Sequence, residues 1–225
     1  IIMKYKLKAK SIYQIHIPRT GGRYVRDLLK RNKFKVTGWD FTEKHKEAGI
    51  EIPHLHYDLF RRLQLPEDTQ YFSVIRNPIE RFKACASHTS YFADYYRTNY
   101  YKNPNLWLSE LTSYDVFKEK IEERNTFLKI NAFYPQYKFL HPDTKLWKME
   151  NGFGSDFINW FNKNFDTEIE EKDVMQMWAP PLTIGKTMED SFDNKIHLEL
   201  SSEVKSFIEN YYQDDFNIWY NIDKQ

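Results

Sequence analysis

Two short apolar runs, each followed by a breaking turn and then a helical pattern, constrain this chain more than anything else in it. Ser11–Ile17 (SIYQIHI) is apolar and β-branched, which predicts a buried strand. Pro18 and the pair Gly21-Gly22 then force a loop, and Arg23–Asn32 carries Val25, Leu28 and Leu29 at helical spacing. Tyr71–Ile75 (YFSVI) is the second run. Asn77-Pro78 turns the chain, Pro78 suits a first helical position, and a helix is predicted from Ile79 to about Phe92. Two β-loop-α units in this order predict an α/β fold with a central parallel sheet flanked by helices. Such sheets bind ligands beyond the carboxyl ends of their strands, where both loops fall.

Later segments read mainly as helices. Ser113–Arg124 has an apolar stripe of Val116, Phe117 and Ile121, and Leu146–Met149 reads as a short strand. Ser155 is placed to cap a helix carrying Phe157, Ile158, Trp160 and Phe161. Ser201 is placed to cap the last helix, with Glu203 in its first turn and Val204, Phe207, Ile208 and Tyr211 as its stripe. The carboxyl-terminal part is thus expected to be helical, with its aromatic stripes in the core. The length of 225 residues suits one domain over 1–225, and 16 Tyr, 17 Phe and 6 Trp require a core rich in rings.

A net charge of +1 gives no whole-molecule signal for nucleic acid or membrane. The distribution says more, because basic residues recur from Lys4 to Lys35 with Asp27 the only acid among them. Lys4 to Lys10 read as a solvated basic face, whereas Arg19 and Arg23, beside a glycine pair, read as an anion site. Cys85 is the only cysteine, so no intrachain disulfide is expected. No apolar run approaches bilayer length and no signal peptide is visible, so a soluble or cytoplasmic chain is expected; Met3 is a candidate natural start, and an anchor upstream is left open.

The first loop is His16-Ile17-Pro18-Arg19-Thr20-Gly21-Gly22-Arg23-Tyr24. A loop between a strand and a helix N-terminus turns backbone N–H groups outward, and the helix dipole favours an anion there. Glycines admit close approach of phosphate, Thr20 adds a hydroxyl donor, and Arg19 adds a permanent cation. In the second loop, Val74 to Arg81, Arg76 stands at a strand end, where a guanidinium grips a second phosphate bidentately. Arg81, read alone, is a surface cation paired with Glu80 or Glu47.

HIPRTGG followed by VIRNPIERF resembles the sulfotransferases that use 3′-phosphoadenosine-5′-phosphosulfate (PAPS), especially the carbohydrate enzymes of the heparan and uronyl 2-O type. Their first loop, usually P-K-T-x-G-T or close to it, holds the 5′-phosphosulfate end of the donor. Their R-x-P-x-x-R motif holds the 3′-phosphate. The resemblance continues in order through His54-Leu55-His56-Tyr57, Phe133-Tyr134-Pro135-Gln136, Trp147-Lys148-Met149-Glu150-Asn151 and Tyr211-Tyr212-Gln213-Asp214-Asp215-Phe216. It implies a single P-loop-like sulfotransferase domain. It also implies donor contacts from Arg19, Thr20, Gly21, Gly22, Arg23, Tyr24 and Arg76, and a proton acceptor in His56 or His54, with His56 slightly ahead.

This chain departs from the family pattern at three positions. Arg19 replaces the loop lysine, Arg23 a small hydroxyl residue, and Ala84 a serine that joins the arginine on the 3′-phosphate; Ser87, one turn later, is a substitute. A late basic loop near the adenosine in related enzymes corresponds here to Lys186 and Thr187. Gly185-Lys186-Thr187 is not a Walker A loop, because Pro180 stands where that pattern needs glycine. His45, His54 and His56 lack a fourth ligand for zinc, and His16 reads as a structural residue inside its strand. Tyr91–Trp107 is ring-rich and reads equally as an acceptor wall or as core.

The expected reaction is in-line displacement at sulfur, with PAPS as donor co-substrate and its bisphosphate nucleotide as product. The acceptor is a small molecule or glycan, and no metal, nucleic acid or membrane is involved. The alternatives are a P-loop-type nucleotide kinase and a non-catalytic nucleotide- or glycan-binding relative.

Overall fold

The computed structural model describes residues 4–7, 10–37, 65–86, 133–172 and 200–222. Five strands form one mixed sheet: β1 (Lys4–Leu7), β2 (Lys10–Ile15), β3 (Lys35–Thr37), β4 (Gln70–Ile75) and β5 (Lys145–Lys148), in the order β3-β1-β2-β4-β5. β2, β4 and β5 run parallel, in register Ile12↔Gln70 to Ile15↔Ser73 and Phe72↔Lys145 to Ile75↔Lys148. β1 pairs antiparallel with both β2 and β3. The described helices are α1 (Gly22–Arg31), α2 (Pro78–Ala86), α3 (Ser155–Phe165), α4 (Ser202–Tyr211) and α5 (Gln213–Asn221).

The period-2 alternation of the strands sorts the core into two clusters. Ile12, Phe72, Val74 and Trp147 pack with Val25, Leu28 and Leu29 of α1 and with Phe157, Phe161 and Phe165 of α3. Tyr13, Ile15 and Ile75 pack with Phe82 and Cys85 of α2, Val204 and Ile208 of α4, and Tyr212. Strands buried on both faces explain why their sequences read as continuous apolar runs. Rings fill much of the first cluster: Phe72 meets Phe161 edge-on at 5.3 Å, and Trp147 meets Phe157 edge-on at 5.5 Å. The stripes of α3 and α4 are core, as expected. Ser73 lies in the sheet interior and donates its hydroxyl to the Ile15 carbonyl at 2.7 Å, which satisfies a buried polar group and ties β2 to β4.

Several boundaries differ from the sequence reading. Lys4 to Leu7 are a strand, although they read as a basic face; the sheet is therefore mixed and not purely parallel. Strand β5 ends at Lys148, and Met149 opens a 3₁₀ turn over Met149–Asn151. Helix α3 starts at Ser155, with Gly154 at the N-cap and no side-chain cap, so Ser155 does not cap it. Ser201 does cap α4, its side chain accepting from the Val204 N–H at 3.3 Å. His16 is not inside the strand. It follows the last residue of β2 and is buried beneath the loop. The predicted helix Ser113–Arg124 and the ring-rich Tyr91–Trp107 lie outside the described residues. Among the described residues, no helix is long and apolar enough to cross a membrane.

The glycine pair has steric duties here. Gly21 is left-handed, with φ 81°, and a Cβ there would lie 2.8 Å from the Phe153 ring. A Cβ on Gly22 would overlap the His16 imidazole. Gly22→Ala is therefore expected to lower stability by about 1–3 kcal/mol, the usual scale of overpacking. His16→Ala in the same chain should relieve most of that loss. Urea unfolding of the two single variants and the double variant checks this: strong non-additivity is expected, and simple additivity would rule out the contact as the reason for the glycine.

Candidate functional site

The parallel strands end together, and the residues that follow them meet at one edge. After β2 the chain runs through Pro18, Arg19, Thr20 and Gly21 into α1. Arg19 (φ 68°) and Gly21 (φ 81°) are both left-handed, while Thr20 between them is not. Alternating handedness of this kind turns successive N–H groups inward and makes an anion-binding concavity. A non-glycine residue at positive φ costs on the order of 1 kcal/mol, so Arg19 keeps its conformation only because its surroundings enforce it.

The two helices that start at this edge differ in how their N-termini are satisfied. α1 has no side-chain cap and no acid in its first turn, and its first backbone bond is from Val25 N–H to the Gly21 carbonyl at 3.3 Å. The N–H groups of Gly22, Arg23 and Tyr24 precede that bond and have no acceptor inside the helix. In α2 the Asn77 side chain accepts from the N–H groups of Ile79 (3.0 Å) and Glu80 (3.3 Å), and Glu80 adds an acid to the first turn. The N-terminus of α1 thus has no side-chain cap, whereas that of α2 is capped by Asn77.

What the second loop offers is Arg76. It follows the last residue of β4 and is half-buried. Among the described residues its guanidinium has one hydrogen-bond partner, the Arg19 carbonyl, at a long 3.4 Å. Most of its five donors are therefore uncommitted. Arg76 and the first loop thus stand against each other at the same edge.

Arg81 is not a surface cation. It is 2% exposed, and its Nε donates to the Pro18 carbonyl at 3.1 Å while Nη2 donates to the Tyr134 carbonyl at 3.0 Å. Glu80 instead takes Lys83, at 2.9 Å. Burial raises the Cys85 thiol above its ordinary range, opposed by the fields of Arg81, Arg19 and Arg76. Those three guanidiniums thus lie within Coulombic reach of a single buried sulfur.

Other motifs come to the same edge. Gln136 opens a 3₁₀ turn (Gln136–Phe139); its Oε1 accepts from the Arg76 N–H at 2.9 Å, and its Nε2 donates to the Arg76 carbonyl at 2.8 Å. Asp215 of α5 accepts from the N–H groups of Gln136 (2.8 Å) and Tyr137 (2.9 Å), and the Tyr212 hydroxyl donates to the Phe133 carbonyl at 2.6 Å. Glu150 accepts from the Asn77 N–H at 2.7 Å and from the Trp219 indole at 3.1 Å, with Lys148 Nζ 4.6 Å over the Trp219 ring.

The remaining expectations divide as follows. Thr20 is buried and its hydroxyl donates to the Ile17 carbonyl at 2.9 Å, so that donor serves the loop itself and does not face outward. Arg23 is exposed in the first turn of α1, and Tyr24 stacks on Phe153 at 5.0 Å. Ala84 is half-buried on α2. His54, His56, Ser87, Lys186 and Thr187 lie outside the described residues. Phe153 at Gly21, Glu150 at Asn77 and the buried pair Arg81 and Asp215 were not assigned to the site from sequence. Among the described residues no group of three or more His, Cys, Asp or Glu is disposed to hold a metal ion.

Burial pushes the Asp215 carboxyl up to about 6, against the Arg81 guanidinium and the N–H groups of Gln136 and Tyr137. A raised carboxyl favours the folded state when protonated, so this contribution is full below the ordinary value of 3.8 and is lost as pH rises through about 6. Between pH 7.5 and 4.5 the wild type should gain on the order of 2 kcal/mol relative to Asp215→Asn. Denaturant unfolding of both at the two pH values measures this; parallel changes would contradict it.

No family model, no curated protein and no solved structure matches this chain.

Proposed function

We propose that this chain is a sulfotransferase that moves a sulfuryl group from PAPS to an acceptor hydroxyl, with a carbohydrate as one candidate acceptor, by in-line displacement at sulfur. The observation that carries the reading is the meeting of α1, whose N-terminus has no side-chain cap and no acid in its first turn, with a sparsely bonded Arg76 at one sheet edge. Two anion subsites held side by side fit a nucleotide that bears phosphate at both its 5′ and 3′ positions. Further support comes from the other motifs that resemble the family: Gln136, Glu150, Tyr212 and Asp215 are distant in sequence yet bonded into the same edge. In this reading the sheet is P-loop-like and the carboxyl-terminal part belongs to the helical layer of the family fold.

The 5′-phosphosulfate lies on the loop Arg19 to Tyr24, with the N–H groups of Gly22, Arg23 and Tyr24 as donors. The 3′-phosphate is assigned to Arg76, with Ser87 as candidate second donor, and the nucleoside to Lys186 and Thr187. The acceptor oxygen attacks sulfur as the bond from sulfur to the 5′-phosphate oxygen breaks. The acceptor proton passes to His56 or His54, and the negative charge left on the departing phosphate oxygen is neutralised by Arg19. Positioning and electrostatics supply the rate, as in phosphoryl transfer. Arginine serves this role as a fixed cation and not as a proton donor.

Ligand linkage tests the donor site. The product 3′,5′-adenosine bisphosphate should raise the melting temperature well above the shift given by AMP, which lacks the 3′-phosphate. Arg76→Ala should erase the difference between them. Equal shifts from the two nucleotides in the wild type would remove the role assigned to Arg76.

A further inference from the structure

We propose that Gln136 is the positioning residue of the Arg76 anion subsite, and that Asp215 holds Gln136 in place for it. The inference rests on the reading above, in which Arg76 takes the 3′-phosphate.

Arg76 lies beyond the reach of the sheet. The parallel ladder to β2 ends at Ile15↔Ser73 and the ladder to β5 ends at Ile75↔Lys148, so among the described residues no strand pairs with Arg76. Gln136 supplies the bonds that a neighbouring strand would. Its carboxamide spends both ends on this one residue, accepting from the N–H at 2.9 Å and donating to the carbonyl at 2.8 Å. Two bonds to one residue's N–H and C=O fix the peptide planes on either side of its Cα. They therefore fix the direction in which the guanidinium leaves the backbone.

Gln136 is itself held. It is 2% exposed, and its backbone N–H and that of Tyr137 donate to the two oxygens of Asp215 at 2.8 and 2.9 Å. The preceding carbonyls are taken by buried donors, Phe133 by the Tyr212 hydroxyl and Tyr134 by Arg81. A carboxamide fixed this firmly loses little further freedom when a ligand arrives, which is the condition for a preorganised site.

The test measures dissociation constants for 3′,5′-adenosine bisphosphate and for AMP by titration calorimetry, using the full chain. The variants are Gln136→Met, Gln136→Glu, Arg76→Ala and the double variant Gln136→Met with Arg76→Ala. Gln136→Met should weaken the bisphosphate about tenfold and AMP less than about twofold. With Arg76 already removed, the same change should cost less than about twofold, because Gln136 acts through Arg76. Gln136→Glu matches glutamine in size and keeps the acceptor while losing the donor. It should shift the same ratio only while Arg76 is present, whereas repulsion by its added carboxylate would persist in Arg76→Ala; it stands in if the methionine variant does not fold. Equal weakening of both nucleotides, or an unchanged effect without Arg76, would make Gln136 a merely structural residue. A wild type that binds the bisphosphate no tighter than AMP would instead overturn the reading on which the inference rests.

Discussion

The sheet edge depends on one buried cation. A guanidinium removed from water must be met by acceptors or it destabilises the fold severely. Arg81 is met by the Pro18 carbonyl of the first loop and the Tyr134 carbonyl of the segment before the 3₁₀ turn. It stands on α2, immediately after the second loop, and so joins three segments far apart in sequence. Asp215 provides a buried carboxyl nearby, whose two N–H bonds close the web from the α5 side. Removing Arg81 would take the guanidinium donor from the Pro18 and Tyr134 carbonyls at once.

The web leaves the site asymmetric. It closes the N-terminus of α2 with Asn77 and Glu80, and it leaves that of α1 uncapped. It anchors the backbone of Arg76 at both polar groups, while its side chain has, among the described residues, a single long bond. Fixed backbone with uncommitted donors is what electrostatic recognition requires, because no reorganisation is then needed when charge arrives. Phe153 shapes the same edge from the other side, lying against Gly21 and stacking on Tyr24.

The strand–loop–helix units were legible because strand burial writes itself as short apolar runs and the breaks as glycine and proline. The same rules mark the first strand: Lys4-Tyr5-Lys6-Leu7 alternates with the period of a strand beneath its high charge. Arg81 was also marked, since it shares helical spacing with Pro78, Phe82 and Cys85, all buried. A charge inside an apolar stripe is more informative than a charge beside an opposite one. Its partners were not legible, because they are backbone carbonyls in other segments. Asp215 is the same case: it continues the stripe of Ile208, Tyr211 and Tyr212, and its acceptor role depends on a turn distant in the chain. The glycine pair misled in a specific way. Backbone freedom for a ligand and steric room for Phe153 and His16 demand the same residue, and only the packing separates them.

The most direct measurement of the central claim is transfer of ³⁵S from labelled PAPS to polysaccharide acceptors in excess EDTA. The account predicts incorporation by the wild type. It predicts a loss on the order of 10²–10⁴-fold in His56→Ala, with binding of the bisphosphate unchanged. A wild type that binds the nucleotide yet transfers no label would make the chain a binding relative. No ³⁵S transfer from PAPS, with magnesium-dependent transfer of ³²P from γ-labelled ATP instead, would make it a kinase.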